Sequence, residues 1–233
     1  IIFQDVVASL YKRNQLSLLT NKISKNVFVP ITVGGGIRNI NDIKEVLVNG
    51  ADRVSINTAA ISDKKFIKES VKLFGSSTII ITIEALKIGE NYKVFTDSGR
   101  TETNIDIFEW IKEVQDIGVG EIILTSINKE GTGKGFDIEL YEKASKICKI
   151  SLLAHGGTRK YEDVHNLFVN TEVNGAIIAS SFHFNYYKEL LKKKEISLKG
   201  STSFLVNKNF NNMFFFGIGD LKKYLKSKNI SIR

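Results

Sequence analysis

Short apolar runs rich in Ile and Val recur along the chain and alternate with longer stretches of helical spacing. Ile1–Asp5, Val29–Val33, Asp52–Ile56, Thr78–Ile83, Glu121–Leu124, Ile150–Ala154 and Ala176–Ala179 read as strands. Runs without polar alternation suit strands buried on both faces, so helices must cover them. The intervening segments supply those helices. Leu10 to Lys25 has helical spacing, Asn41 can cap a helix to about Asn49, and Ser62-Asp63 one to about Phe74. Ile105–Ile117, Ile138–Cys148, a segment ending near Asn170, His183–Lys194 and Ile218–Lys228 read as further helices. Only Tyr92-Lys-Val-Phe95 breaks the rhythm. Its alternation, between Gly89 and Ser98-Gly99, predicts a small hairpin beyond the strand that closes on Glu84.

Seven strands alternating with helices point to a (β/α)8 barrel or a doubly wound sheet. Polar residues stand at the strand ends: Asp5, Gly36, Asn57, Glu84, Ser126, Gly157 and Ser180. In a barrel these would ring one mouth. A barrel needs eight strands, and this chain enters a strand pattern at Ile1. The expectation is therefore a TIM barrel lacking its first βα unit, with that unit preceding Ile1 and an unpaired, poorly stable edge in its place. Residues 1–233 read as one barrel domain, with 185–217 an atypical insertion before the C-terminal helix. Inside it, Met213-Phe-Phe-Phe216 is too apolar for a free loop and too short to cross a membrane. Two readings stay open for it, packing on the barrel or exposure to a partner.

A repeat runs through the pattern. When Gly35-Gly36 is laid on Gly156-Gly157, Arg38 falls on Arg159, Asp42 on Asp163, Val48 on Val169 and Asn49 on Asn170. Strand, glycine turn and helix thus occur twice. Backbone N–H groups at a glycine turn feeding a helix make an anion site. Two such turns suggest a ligand with a phosphate at each end. Taken singly, either turn is also what any tight βα connection requires.

Composition changes this picture little. The net charge of +8 admits a polyanionic partner, but the lysines cluster in helical stretches such as Lys188 to Lys194 and read as solvated helix faces. No aromatic-interleaved basic motif points to nucleic acid. The single Cys148 excludes a disulfide framework, and no signal peptide or spanning segment is visible, so a cytoplasmic location is expected.

Val33-Gly-Gly-Gly-Ile-Arg38, Arg53-Val-Ser-Ile-Asn-Thr-Ala-Ala60, Gly120-Glu-Ile-Ile-Leu-Thr-Ser-Ile127 and Ala179-Ser-Ser-Phe-His-Phe184 resemble the HisF family. HisF is the cyclase subunit of imidazole glycerol phosphate synthase in histidine biosynthesis. The likeness runs from Ile1 to Phe184 and resumes at Asp220-Leu-Lys-Lys-Tyr224. It implies a (β/α)8 barrel of two similar halves that binds a bis-phosphorylated ribulosyl aminoimidazole carboxamide across its mouth. One phosphate site then maps to Gly36, Asn57 and Thr58, the other to Gly131, Gly157, Ala179 and Ser180, and Asp5, Ser98 and Glu130 complete the substrate-binding set.

The resemblance further implies a lyase that takes ammonia from a glutaminase subunit, its heterodimer partner. It closes the imidazole ring and releases imidazole glycerol phosphate and an aminoimidazole carboxamide ribotide. Two aspartates act as general acid and base. One belongs to the first strand, which this chain lacks, and Glu84 holds the position of the other as the catalytic candidate. Asn128-Lys-Glu-Gly-Thr132 stands where Asp-x-Asp-Gly-Thr is usual, and His155 replaces a Ser. His155 either contacts phosphate when protonated or fills space. His165 and His183 read as structural. Arg53 and Glu121, at the beginnings of their strands, map to a family gate for ammonia; the alternative is a surface salt bridge. No cofactor is implied, and no residue grouping has metal-ligand spacing. Two other functions stay open: a paralogue supplying ammonia for amidino-sugar formation in surface-polysaccharide synthesis, and a non-catalytic phosphate-binding or glutaminase-docking subunit.

Overall fold

Every apolar run becomes a strand of one sheet, and the register shows why the runs alternate in duty. The computed structural model describes residues 1–5, 16–192 and 215–232. Its strands are β1 (Ile2–Gln4), β2 (Thr32–Gly34), β3 (Arg53–Ile56), β4 (Ile79–Ile88), β5 (Asn91–Thr96), β6 (Thr101–Asp106), β7 (Glu121–Ser126), β8 (Ser151–His155) and β9 (Gly175–Ile177). β1, β2, β3, β4, β7, β8 and β9 lie side by side in that order, all parallel. The sheet is curled with helices between successive strands, an α/β arrangement of TIM-barrel type. Among the described residues, the sheet has seven parallel strands.

Successive side chains of a strand point to opposite faces. Val33, Val54, Ile56, Ile79, Ile81, Ile83, Ile122, Leu124, Leu152 and Ala154 join the core beneath the helices. The alternate residues, among them Arg53, Ser55, Thr82, Glu84, Glu121, Thr125, Ser151 and His155, share the inner face. The covering helices are α1 (Leu16–Ser24), α2 (Ile40–Val48), α3 (Thr58–Ser62), α4 (Lys64–Phe74), α5 (Ile107–Ile117), α6 (Ile138–Ile147), α7 (Tyr161–Asn170), α8 (Ser180–Lys192) and α9 (Ile218–Ser227). Asp63 caps α4 by accepting from the N–H groups of Lys65 and Phe66. The cap of α2 is Asn39 rather than Asn41, since the Asn39 side chain accepts from Asn41 N and Asp42 N.

The hairpin is larger than its sequence suggested. β4 does not close on Glu84 but runs on to Ile88; its outer half pairs antiparallel with β5, and β5 with β6. β6 occupies Thr101–Asp106, so Ile105 belongs to a strand, and α5 starts two residues later under an Asp106 cap.

Ser126 is a second correction. It was placed on the mouth, yet it is fully buried on the helix side, where its hydroxyl donates to Asp137 Oδ2 at 2.9 Å. Asp137 also accepts from Tyr92 Oη at 3.1 Å and from Leu140 N at 3.3 Å. One buried carboxylate therefore ties the ribbon, β7 and α6 together. Burial, then the Asp137 charge, pushes the Tyr92 hydroxyl well above its ordinary range, so it stays a donor.

Of the expected insertion 185–217, residues 193–214 lie outside the described residues, Met213 and Phe214 among them, and 185–192 continue α8. Phe216 is buried between Tyr161 and Phe182, with ring centroids 4.8 and 5.5 Å away, and Phe215 packs on Phe184. These two rings therefore take the packed alternative. Tyr161 also stacks on Tyr224, which seats α9 against α7. Among the described residues, no helix is long and apolar enough to cross a membrane.

Candidate active site

Register places Glu84, Thr125, His155 and Ile177 in one row across the upper inner face. Two cavities open along this row. The first, over β1 to β4, is lined by Asp5, Gly36, Asn57, Thr58, Glu84 and Ser98, six residues named from sequence, together with Arg38 and Asp97. The second, over β7 to β9, is lined by Glu130, Gly131, Gly157, Ala179 and Ser180, with His155, Arg159 and Phe215. The residues named from sequence thus line two separate cavities, one at each glycine turn.

The glycine turns repeat in geometry as well as in sequence. Gly35 and Gly36 have φ of 99° and 74°, and Gly156 and Gly157 have 108° and 98°, a region that favours glycine. The backbone N–H of Arg38 donates to Asp42 Oδ2 at 2.8 Å, and that of Arg159 donates to Asp163 Oδ2 at the same 2.8 Å. Space is as restrictive as φ, because a Cβ on Gly157 would meet the Gly135 carbonyl oxygen at 2.2 Å.

Glu84 is the carboxyl of the row. Asn57 Nδ2 donates to its Oε2 at 2.9 Å, and Gly99 N donates to the same oxygen at 3.0 Å. Burial nevertheless pushes its pKa up, outweighing both donors, and the charges of Glu130 and Asp97 push the same way. With Oε2 already accepting twice, the proton of the acid form belongs on Oε1. Asn57 Oδ1 is a buried acceptor without a hydrogen-bond partner among the described residues, so the first cavity can accept a hydrogen bond from a ligand as well as donate one. Asp97 and Ser98 both adopt left-handed conformations, φ 53° and 61°, uncommon for residues with side chains, and Asp97 N donates to Thr58 Oγ1 at 3.3 Å.

His155 is half-buried two strands along the row from Glu84, its Nδ1 3.0 Å from Thr125 Oγ1. Burial pushes its pKa down and so favours a neutral ring near pH 7, while the charge of Glu130 opposes this.

Arg53 and Glu121 sit at the opposite end of the inner face. Arg53 Nη1 lies 3.3 Å from Glu121 Oε1, and Ser151 Oγ donates to Glu121 Oε2 at 2.9 Å. Four residue steps of strand lead from Glu121 to Thr125, about 13 Å. The pair thus lies well below the row, although Ser55, two residues above Arg53 on the same face, lines the first cavity. Among the described residues, no three His, Cys, Asp or Glu side chains are grouped to hold a metal ion.

Several residues at the site were not among the binding candidates named from sequence. Arg38 and Arg159 carried a signal, since they are matched positions of the repeat. Thr125 lay inside a quoted motif, but only the register reveals that it stands between Glu84 and His155. Asp97 had no signal beyond the turn residues after it.

Comparison with known proteins supplies relatives of this chain. The family model described as histidine biosynthesis protein matches residues 1–188. A protein of Hydrogenobaculum sp. (strain Y04AAS1) is 40% identical over 100% of this chain and 81% of its own length. One of Natranaerobius thermophilus is 35% identical, with the same shares. One of Clostridium botulinum (strain Okra / Type B1) is 36% identical over 90% of this chain and 80% of its own. Each is named imidazole glycerol phosphate synthase subunit HisF.

Proposed function

The chain belongs to the HisF family of histidine biosynthesis proteins, and from that premise we propose that it works as the ammonia-dependent cyclase of imidazole glycerol phosphate synthase, a lyase. Its substrate on this reading is a bis-phosphorylated ribulosyl aminoimidazole carboxamide, and its products are imidazole glycerol phosphate and the aminoimidazole carboxamide ribotide. The observation that carries the reading is the pair of equivalent glycine turns flanking a row that contains a carboxyl. One phosphate is held by the Gly36 turn with Asn57 and Thr58, the other by Gly131, Gly157, Ala179 and Ser180. Asp5, Ser98 and Glu130 complete the walls.

Glu84 is the proton-transfer group. Its raised pKa keeps a fraction of the acid form at pH values where an ordinary glutamate is ionised, and that proton leaves from Oε1. The shared name of all three relatives favours the histidine pathway over the polysaccharide paralogue. The decisive assay is ammonia-dependent turnover of the bis-phosphate. Tight substrate binding without turnover would reduce the protein to a phosphate-binding subunit.

Each relative is named as one subunit of a synthase, which supports a partner here. On our reading the partner is a glutaminase docked at the Arg53–Glu121 end, and this ion pair gates the entry of ammonia. Arg53→Met should then change stability by less than about 1 kcal/mol, as a partly exposed pair allows. It should also change glutamine-driven turnover of the assembled synthase more than turnover with saturating ammonia. Equal effects on both would remove the gate.

A further inference from the structure

The two turns match closely, yet the residue before each glycine pair differs. Gly34 precedes the first pair, where a Cβ would meet Ser55 Cβ at 2.9 Å, so no side chain fits. His155 precedes the second and carries an imidazole into the row. We propose that His155 is a proton-coupled ligand of the second anion site, so that this cavity binds a phosphate-like dianion together with one proton while the first binds it without. The proposal rests on the phosphate reading above and deepens it at one end of the substrate.

The geometry provides for both charge states of the ring. Thr125 Oγ1 can donate to a neutral Nδ1 or accept from a protonated one, because a hydroxyl does either by rotation. In the imidazolium form Nδ1–H stays with Thr125, and Nε2–H becomes a charge-assisted donor. Among the charged and titratable groups around the ring, Glu130 and Lys129 come from the loop after β7, Arg159 from its own turn, and Glu84 from the same row two strands away. β9 and α8 contribute Ile177, Ser180 and Phe184, which do not titrate.

The sign follows from charge. Burial favours the neutral ring in the empty site, and a dianion beside it favours the imidazolium, so binding takes up a proton. By linkage, affinity is highest and level below the pKa of the ring in the empty site. It falls as pH rises towards the higher pKa of the occupied site and is level again above that.

Sulfate is a suitable probe because its own charge does not change across the neutral range. Its binding to the full chain can be followed at each turn by the amide resonances of Gly36 and Gly157. Between the two ring pKa values, the sulfate Kd at Gly157 should rise about tenfold per pH unit, the slope of one proton, while the Kd at Gly36 stays constant. His155→Asn should flatten the Gly157 profile. Glu130→Gln keeps the ring and removes the charge that raises its pKa, so it should move the window to lower pH. A Gly157 profile as flat as that of Gly36, a slope retained in His155→Asn, or a window unmoved by Glu130→Gln overturns the proposal and leaves the two anion sites standing. Sulfate shifting neither glycine at any pH overturns the phosphate reading as well.

Discussion

Glu84→Gln should lower ammonia-dependent turnover by about 10²–10⁴-fold, the usual worth of a positioned general acid or base, with little change in substrate affinity. The amide retains an oxygen to accept from Asn57 and Gly99, so the first cavity keeps its shape while losing its transferable proton. Steady-state kinetics and equilibrium binding on the same preparation check the two halves of this expectation. A variant that turns over at the parent rate would remove Glu84 from the chemistry. The same substitution has a signature in stability. The folded-state pKa of Glu84 lies above its unfolded value, so its contribution to stability is full below the unfolded pKa and is lost as pH rises through the folded one. Melting curves of the Gln variant should lack that loss, gaining on the parent as pH rises through this window. Glu84→Asp draws the carboxyl back by one methylene from donors set to the reach of glutamate, a displacement able to cost on the order of a hundredfold in rate.

Asp137→Ala should destabilise the fold by roughly 3 kcal/mol, read as a lower urea midpoint with unchanged slope. Three donors from three elements converge on this buried carboxylate: Tyr92 Oη from β5, Ser126 Oγ from β7 and Leu140 N from α6. Truncation leaves all three buried without this acceptor. Asp137→Asn keeps the volume and one acceptor, so it should lose less. An Ala variant as stable as the parent would mean that the ribbon is held by its strand pairing alone.

These two residues mark how far the sequence could be read. Glu84 was legible because an apolar β-branched run delivers it to a strand, and the glycine turns because their repeat extends to Arg38/Arg159 and Asp42/Asp163. Asp137 was invisible, since its partners are 45 residues away at Tyr92 and 11 away at Ser126. The misplacement of Ser126 is a parity error. Thr125 and Ser126 are both polar at a strand end, but a strand alternates its faces, so only Thr125 reaches the row. β6 escaped because Thr101-Glu-Thr-Asn-Ile-Asp106 is polar on both sides and largely exposed, leaving no hydrophobic pattern to read.

β4 belongs to two structures at once. Glu84 pairs in parallel with Thr125 in the curled sheet and antiparallel with Phe95 in the ribbon, and the turn closing β5 onto β6 supplies the Gly99 N–H on its carboxyl. The ribbon and the acid are therefore joined at one strand position. Lifting the ribbon would withdraw one donor from Oε2 and make the carboxyl harder to ionise; pressing it down would restore the donor and strengthen the acid. The turn of the ribbon thus contributes to the acidity of Glu84 through a single backbone N–H.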